Sequence, residues 1–510
     1  MKKYSIYSLI FLIFACAGCS EFDKINTDPD TTTKVKPAII ATGQLLDMMW
    51  KGSGKGYMSD QFVSKHISMS EIQEDYQYNR FFRTGFGAYQ NLTSALKMVE
   101  VAEEIEKEKY QALCKFMIAY RLFDVTIALG DIPYSDAFNG EGGVIKPKYD
   151  KQKDVMIQIL NDLESAYTGF SSASGGLDGD FVFKGNFEKW KKTVTAMQLR
   201  ILMSLSKKEG DADLNIKKRF ADIVATRPLM ASNEDNFQLV YGNESSNINP
   251  LYITKNLFTP YAMLGNIMVD SLKKYNDYRL FYYGNPSPAK IEAGYTPSDW
   301  EAYPGTDTSA SFIEVKKKYT DNDFTFLNSR YVEIETGEPL IRLGYAQQNF
   351  ILAEACLRGW ISGSANDYYL KAIKGSIDFI LSNTPNEEKY HHGHPMTKEY
   401  IDTYLAQPDI QLSGKSGSFD ADLNKIITQK YLASFLHHPW ESYYEYRRTG
   451  YPVIPINPTT NLNTMNDRIP VRWMYEQREY DFNRENVDEA VQRQFGGKDE
   501  VNQLMWMLQD

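Results

Sequence analysis

The sequence predicts an all-α fold of tetratricopeptide-like helical hairpins, interrupted by long irregular loops of the kind that carry binding sites. Three observations predict it. Apolar residues recur every three to four positions through several segments. Some of these segments are joined by short glycine-bearing turns, which lay neighbouring helices antiparallel. Between the helical segments lie long stretches rich in Gly, Pro, Ser, Asn and aromatic residues, and loops of that length in a compact body are usually functional. No clean period of about 34 residues is present, so the expectation rests on paired helices and not on a strict repeat.

The chain starts with a short positive region, Met1-Lys2-Lys3, followed by a largely apolar, uncharged stretch at 4–18. A membrane-spanning helix needs about 20 apolar residues, so residues 1–18 read instead as a secretory signal peptide. The stretch ends Ala15-Cys16-Ala17-Gly18-Cys19, which resembles the lipobox of bacterial lipoproteins, with Cys19 as the lipidated residue. Each buried methylene contributes about 0.8 kcal/mol and a single acyl chain binds only marginally, so several chains on one cysteine make a stable membrane anchor. Residues 19–36 are polar around Asn26, Asp28, Pro29, Asp30 and Thr31-Thr32-Thr33, the composition of an extended, flexible tether. Beyond them, length alone suggests about two or three domains. No later window holds an unbroken apolar run long enough for a transmembrane helix.

The helical segments follow in order. Residues 110–129 are apolar nearly all round, the mark of a deeply buried helix, and Gly130-Asp131-Ile132-Pro133 stops it. Asp150 is placed to cap a helix whose inward face is Val155, Ile159, Leu163 and Ala166. Residues 187–207 put Trp190, Val194, Met197, Ile201 and Leu205 on one side. Residues 345–358 turn Phe350, Ala353 and Leu357 inward, 359–364 form a turn, and 365–381 give the clearest amphipathic helix. Residues 423–436 space Ile427, Tyr431 and Phe435 by four. The stretches 239–256, 282–328 and 439–470 read as irregular.

A formal charge of -10 and the lack of any long basic run exclude nucleic acid as a partner. Aromatic residues make up 14% of the chain, with 35 Tyr and 7 Trp, which suits surfaces for partly polar ligands, although most should fill helix interfaces. Besides Cys16 and Cys19, the chain has Cys114 and Cys356 inside apolar helical stretches, where a free thiol packs as a small hydrophobe. A disulfide between them is open to an exported protein, but nothing in the spacing argues for it. His391-His392-Gly393-His394 looks like a metal site. Adjacent histidines point apart, however, and no acidic or Cys partner follows at zinc spacing, so neither metal nor cofactor is expected. His437-His438 should face a helix C-terminus.

Several short motifs run in order along the chain. They are Phe22-Asp23-Lys24-Ile25-Asn26-Thr27-Asp28-Pro29, Gly130-Asp131-Ile132-Pro133-Tyr134-Ser135-Asp136-Ala137, and the Trp190 helix ending in Leu199-Arg200. Asp277-Tyr278-Arg279-Leu280 follows, then Leu352-Ala353-Glu354-Ala355 with Arg358-Gly359-Trp360. The last are Tyr446-Arg447-Arg448-Thr449-Gly450-Tyr451-Pro452 and Ile469-Pro470-Val471-Arg472 with Glu479 and Asn483. Together they resemble the SusD/RagB family of outer-membrane lipoproteins, in its SusD-like branch. Tyr278 departs from the family's usual Asp-Pro-Arg, and Trp473-Met474-Tyr475-Glu476 replaces its common Tyr-Pro. The resemblance implies one α-helical domain over 37–510, with tetratricopeptide-like pairs and a loop-rich ligand face. It also implies a lipid-anchored place on the surface of the outer membrane, beside a SusC-like TonB-dependent transporter. There such proteins capture glycan, or in some members peptide, without catalysis.

Sugar binding needs an aromatic platform with amide or charged groups nearby. Two clusters qualify by composition. One is Gln73, Tyr76, Tyr78, Asn79 and Arg80, and the other is Tyr283, Tyr295, Trp300 and Tyr303. Tyr76, Tyr78, Asn79, Tyr283, Trp300 and Tyr303 are thus candidate ligand-binding residues; alternatively these rings pin loops to helices. In Arg447-Arg448 a buried Arg should pair with a carboxylate, for which Glu354 is the natural kind of partner, or with a helix carbonyl terminus. A glycan-degrading enzyme would need two carboxylates flanking the sugar. Among 66 Asp and Glu such pairs can always be found, and neither Gly-x-Ser-x-Gly nor His-Glu-x-x-His occurs. A surface adhesion lipoprotein without a small ligand is the third reading.

Overall fold

A computed structural model describes residues 35–244 and 247–510. The signal peptide expected at 1–18, the lipidated Cys19 and nearly all of the tether lie outside the described residues. The main helices are α1 (Pro37–Met49), α2 (Lys55–Val63), α3 (Gly87–Glu100), α4 (Glu104–Leu129), α5 (Gln152–Ser172) and α6 (Phe187–Ser204). They continue as α7 (Ile216–Thr226), α8 (Tyr345–Leu357), α9 (Ala365–Ser382), α10 (Phe419–Ala433), α11 (Pro439–Thr449) and α12 (Arg484–Phe495). Helix α4 packs between α3 and α5, and α5 on α6; α8, α9 and α10 pack mutually, and α8 meets α6 to join the two groups. This is the all-α, hairpin-built fold that the periodicity predicts.

Short strands fasten the intervening chain to this frame. They are β1 (Ile67–Met69), β2 (Arg83–Thr84), β3 (Phe237–Leu239), β4 (Ala262–Leu264), β5 (Gly284–Asn285), β6 (Phe326–Leu327), β7 (Leu340–Leu343) and β8 (Met474–Tyr475). One sheet has the order β1-β4-β6-β5, and β2–β8 and β3–β7 pair separately. The β2–β8 pair is parallel, with Arg83 opposite Met474 and Thr84 opposite Tyr475.

Helix α4 is the axis of the first group, with Leu113, Phe116, Met117, Leu122 and Phe123 among its buried residues. It starts at Glu104, six residues before the apolar pattern does. Glu104 and Glu106 favour the positive end of the helix dipole, and that first turn has no need of an apolar face. Gly130 ends it at φ +101°, where a β-carbon would stand 2.2 Å from Gln494 Oε1. In the second group, Gly375 lets α9 approach α8, since a β-carbon there would lie 2.9 Å from the Tyr345 ring.

The structure corrects four local expectations. Asp150 does not cap α5; its carboxylate accepts the amides of Tyr134 and Ser135, both at 2.8 Å, and so fastens the turn after α4. Asp131 Oδ1 accepts the first α5 amide, that of Gln152, instead (2.8 Å). Residues 439–449 are helical, because proline at the first helical position loses no intrahelical bond. The stretch 282–328 also holds helical turns, at Pro288–Glu292 and Phe312–Thr320, the latter started by a Ser311–Glu314 capping box. Finally, α10 stops at Ala433, so the His pair is off its last turn. His437 Nε2 lies 3.2 Å from Glu338 Oε1, and His438 leads into α11.

Candidate ligand-binding cleft

A cleft of about 430 Å³ opens where residues 50–84 meet residues 437–473 over α4 and α6. Its aromatic wall comes from segments far apart in sequence. Trp50 ends α1 and is 40% exposed. Trp440 and Tyr444 stand one turn apart on α11, and Tyr120, Asp124 and Ala128 share one face of α4. Trp473 is held against α4 by its amide, which donates to Ala128 O at 3.0 Å. Tyr76 meets Trp440 edge-on at 5.5 Å, and Trp473 stacks on Phe81 at 4.4 Å. Trp473 Nε1 donates to the Tyr76 hydroxyl at 3.2 Å. Such ring pairs contribute about 0.5–1.5 kcal/mol each beyond their burial, so the wall is pre-formed.

Charged side chains line the same cleft. Arg200 Nε lies 3.6 Å from Glu441 Oε2, and its Nη2 4.0 Å from Asp124 Oδ1. Burial disfavours the Arg200 charge, but Glu441 and Asp124 outweigh that and hold the guanidinium above its ordinary range. Lys51 Nζ is 3.5 Å from Asp60. Burial pulls its ammonium down to about 8, which Asp60 opposes and Arg342 reinforces. Arg342, on β7, also lines a side pocket of about 180 Å³ shared with Asp124, Tyr120 and Gly85. The cleft can therefore stack a flat, partly apolar ring and address its polar substituents from the side.

The first sequence cluster divides. Tyr76 lines the cleft. Tyr78 is buried, and its carbonyl accepts the Leu462 amide at 2.8 Å. Asn79 is buried at φ +58° and accepts from Lys65 Nζ at 2.8 Å. Lys65 also donates to Tyr76 O and Gln77 O, at 2.9 and 2.7 Å, so it ties down the turn that presents Tyr76.

The second cluster does not line this cleft. Tyr283 and Tyr303 are buried, their hydroxyls donating to Leu432 O (3.0 Å) and Pro297 O (2.6 Å). Trp300 is half-buried, edge-on to Phe281 at 4.7 Å, and Tyr295 is exposed. The three nearby histidines have separate partners. His391 lies 3.9 Å from Glu388, His392 Nε2 is 3.1 Å from Asn285 Oδ1, and His394 stacks on Phe281 at 3.8 Å. Among the described residues no group of three or more His, Cys, Asp or Glu could hold a metal ion. Cys114 and Cys356 are free thiols, and burial pushes them up to about 12 and 11.

Trp50, Trp440, Trp473 and Arg342 were not singled out as site residues by the sequence. One signal was present: Trp473 is the first residue of the segment that departs from the family's Tyr-Pro.

Residues 29–476 match the SusD-like family described as starch-binding, associating with outer membrane. The chain belongs to the SusD-like family. Solved SusD-like structures superpose over nearly its whole length. A SusD homolog from Bacteroides fragilis NCTC 9343 is 51% identical, with a TM-score of 0.90, over 93% of this chain and all of the other. A second from the same strain is 32% identical, with a TM-score of 0.83, over 94% of this chain and all of the other. Among curated proteins, none matches this chain.

Proposed function

We propose that this SusD-like protein is a lipoprotein of the cell surface, anchored through Cys19, that binds an oligosaccharide and delivers it to a SusC-like TonB-dependent transporter in the outer membrane. The observation that carries the reading is the cleft, lined by Trp50, Tyr76, Trp440 and Tyr444 together with charged side chains. Sugar rings present C–H faces to aromatic planes and hydroxyls to charged groups, and this site offers both. The family description supports a place at the outer membrane. Among the described residues no helix is long and apolar enough to cross a membrane, which fits attachment through a lipid.

Binding without hydrolysis fits the same geometry. A glycosidase needs one protonated and one ionised carboxyl free to face the sugar. Here Glu441 is engaged by Lys430 at 2.7 Å and by Arg200, and Asp60 faces Lys51, which leaves Asp124, held above its ordinary range by burial, without an unpaired second carboxylate. The test is calorimetric titration of an oligosaccharide panel against the wild type and Trp440→Ala, with a peptide panel as control. Loss of glycan affinity in the variant supports the reading. Unchanged glycan affinity removes the cleft as the site, and binding of peptides alone removes glycan as the ligand. Co-purification of a TonB-dependent transporter with the tagged wild type tests the delivery step.

A further inference from the structure

The charges lining the cleft are unequally satisfied. Arg200 faces Glu441 and Asp124. Glu441 is held from behind by Lys430, and Lys430 also holds Glu445 at 2.8 Å, so that carboxylate is largely spent inside the wall. Lys51 has Asp60 at 3.5 Å, long for a strong hydrogen bond. Arg342 differs from all of these. Among the described residues it makes no hydrogen bond and no ion pair, and its Nε is shielded from solvent without a partner. It stands where the main cleft joins the side pocket. Burial, with His437, Arg200, Arg342 and Lys51 around it, holds His438 neutral, so that imidazole needs no counter-ion.

A guanidinium stays charged at any physiological pH, and its planar fork matches the two oxygens of a carboxylate or sulfate. A neutral sugar is usually read by neutral amides as well as charges, yet no Asn or Gln among the described residues lines this cleft.

We propose that the cleft takes an anionic glycan, with a sugar ring against Trp440 and its carboxylate or sulfate on Arg342, beside Lys51. This rests on the reading of the cleft as the glycan site. Asp124, which lines both pockets, feels the Arg342 charge without forming an ion pair with it, so the anion would supply the bidentate partner that the protein leaves open at Arg342. The anion would also face the ammonium of Lys51 that burial has weakened.

The experiment uses uronate and sulfated oligosaccharides, each matched with the same chain after carboxyl reduction or desulfation, titrated by calorimetry at low and high salt. At least a tenfold preference for one anionic form, weakened by salt, is expected. Arg342→Gln should bring the anionic-to-neutral affinity ratio close to one, and Lys51→Met should lower it; unfolding curves confirm that each variant is folded. A preference for uronate assigns a carboxylate, and one for the sulfated chain assigns a sulfate. If the neutral forms bind as well as the anionic ones, or if both variants keep the full ratio, the proposal is overturned while the glycan reading stands. If no member of any pair binds, the proposal and that reading fall together.

Discussion

Arg448 grips Glu354 with both terminal nitrogens of its guanidinium, Nη1 to Oε1 at 2.6 Å and Nη2 to Oε2 at 2.7 Å, deep between α11 and α8. The sequence already paired these two residue types, and the structure assigns the role to Arg448. Arg447 instead donates to Val471 O at 2.7 Å. Glu445 and Arg358 extend the pair, and Lys430 continues it to Glu441 at the cleft.

Breaking that grip leaves a buried guanidinium short of a counter-charge. Because Glu445 still pairs the guanidinium, Glu354→Gln should destabilise the protein by about 1.5–3 kcal/mol, the scale of the charge-assisted bonds lost. Denaturant titration reads it. Glu354→Leu combined with Arg448→Met should cost less than the sum of the two single changes, because neither charge is then stranded.

Lys65 positions the ligand wall without lining it. Its ammonium satisfies two carbonyls and the Asn79 side chain, with burial pulling it down to about 7. Lys65→Met leaves those acceptors unpaired. The expected loss is about 1–3 kcal/mol of stability, together with weaker ligand affinity as the Tyr76 turn loosens. A variant as stable as wild type, with full affinity, would show that the turn holds itself.

Acid should weaken the fold through His66. Its ring is fully buried, stacked on Tyr431 at 4.1 Å, with Nε2 3.0 Å from Tyr431 O. Burial pulls it from 6.5 to about 3, the bond to Tyr431 O opposing in part. The unfolded chain therefore takes up this proton first as pH drops. The stabilisation is whole above about 6.5 and is lost as pH falls through the window to about 3, at up to about 1.4 kcal/mol per pH unit. In His66→Gln the stability-versus-pH slope across that window should fall by up to one proton. An unchanged slope would mean that the ring can charge in place.

If Cys19 serves only as the anchor, Cys19→Ala should release the protein from the membrane fraction while its thermal unfolding stays that of the wild type. Fractionation and calorimetry read the two halves of this expectation. Retention in the membrane would point to a second attachment.

Helices with strong apolar period were legible almost to the residue: α9 was expected at 365–381 and runs Ala365–Ser382. The start of α4 was hidden because its first turn is charged, and α11 was hidden behind Pro439. The candidate site was harder to read. Tyr76 was legible because aromatics cluster around it in sequence. Trp50, Trp440, Trp473 and Arg342 come from four separate segments, and pattern along the chain says nothing about which distant segments meet. For Tyr303 the sequence leaves two roles open, platform or loop pin, because an aromatic in a loop has the same pattern in both; its ring fills the space beneath the loop, 5.0 Å from Phe281.

The parallel pairing of β2 with β8 has a consequence for when the protein becomes competent. The two strands lie some 390 residues apart, as Arg83 and Met474 show, and closing so long a loop is among the slower and more entropically costly contacts a chain makes. The wall that carries Tyr76 and Thr84 therefore meets Trp440 and Trp473 only after the rest of the chain has been made. Ligand capture thus reports completed folding: a molecule truncated before Trp440 would lack one side of the wall and should hold nothing.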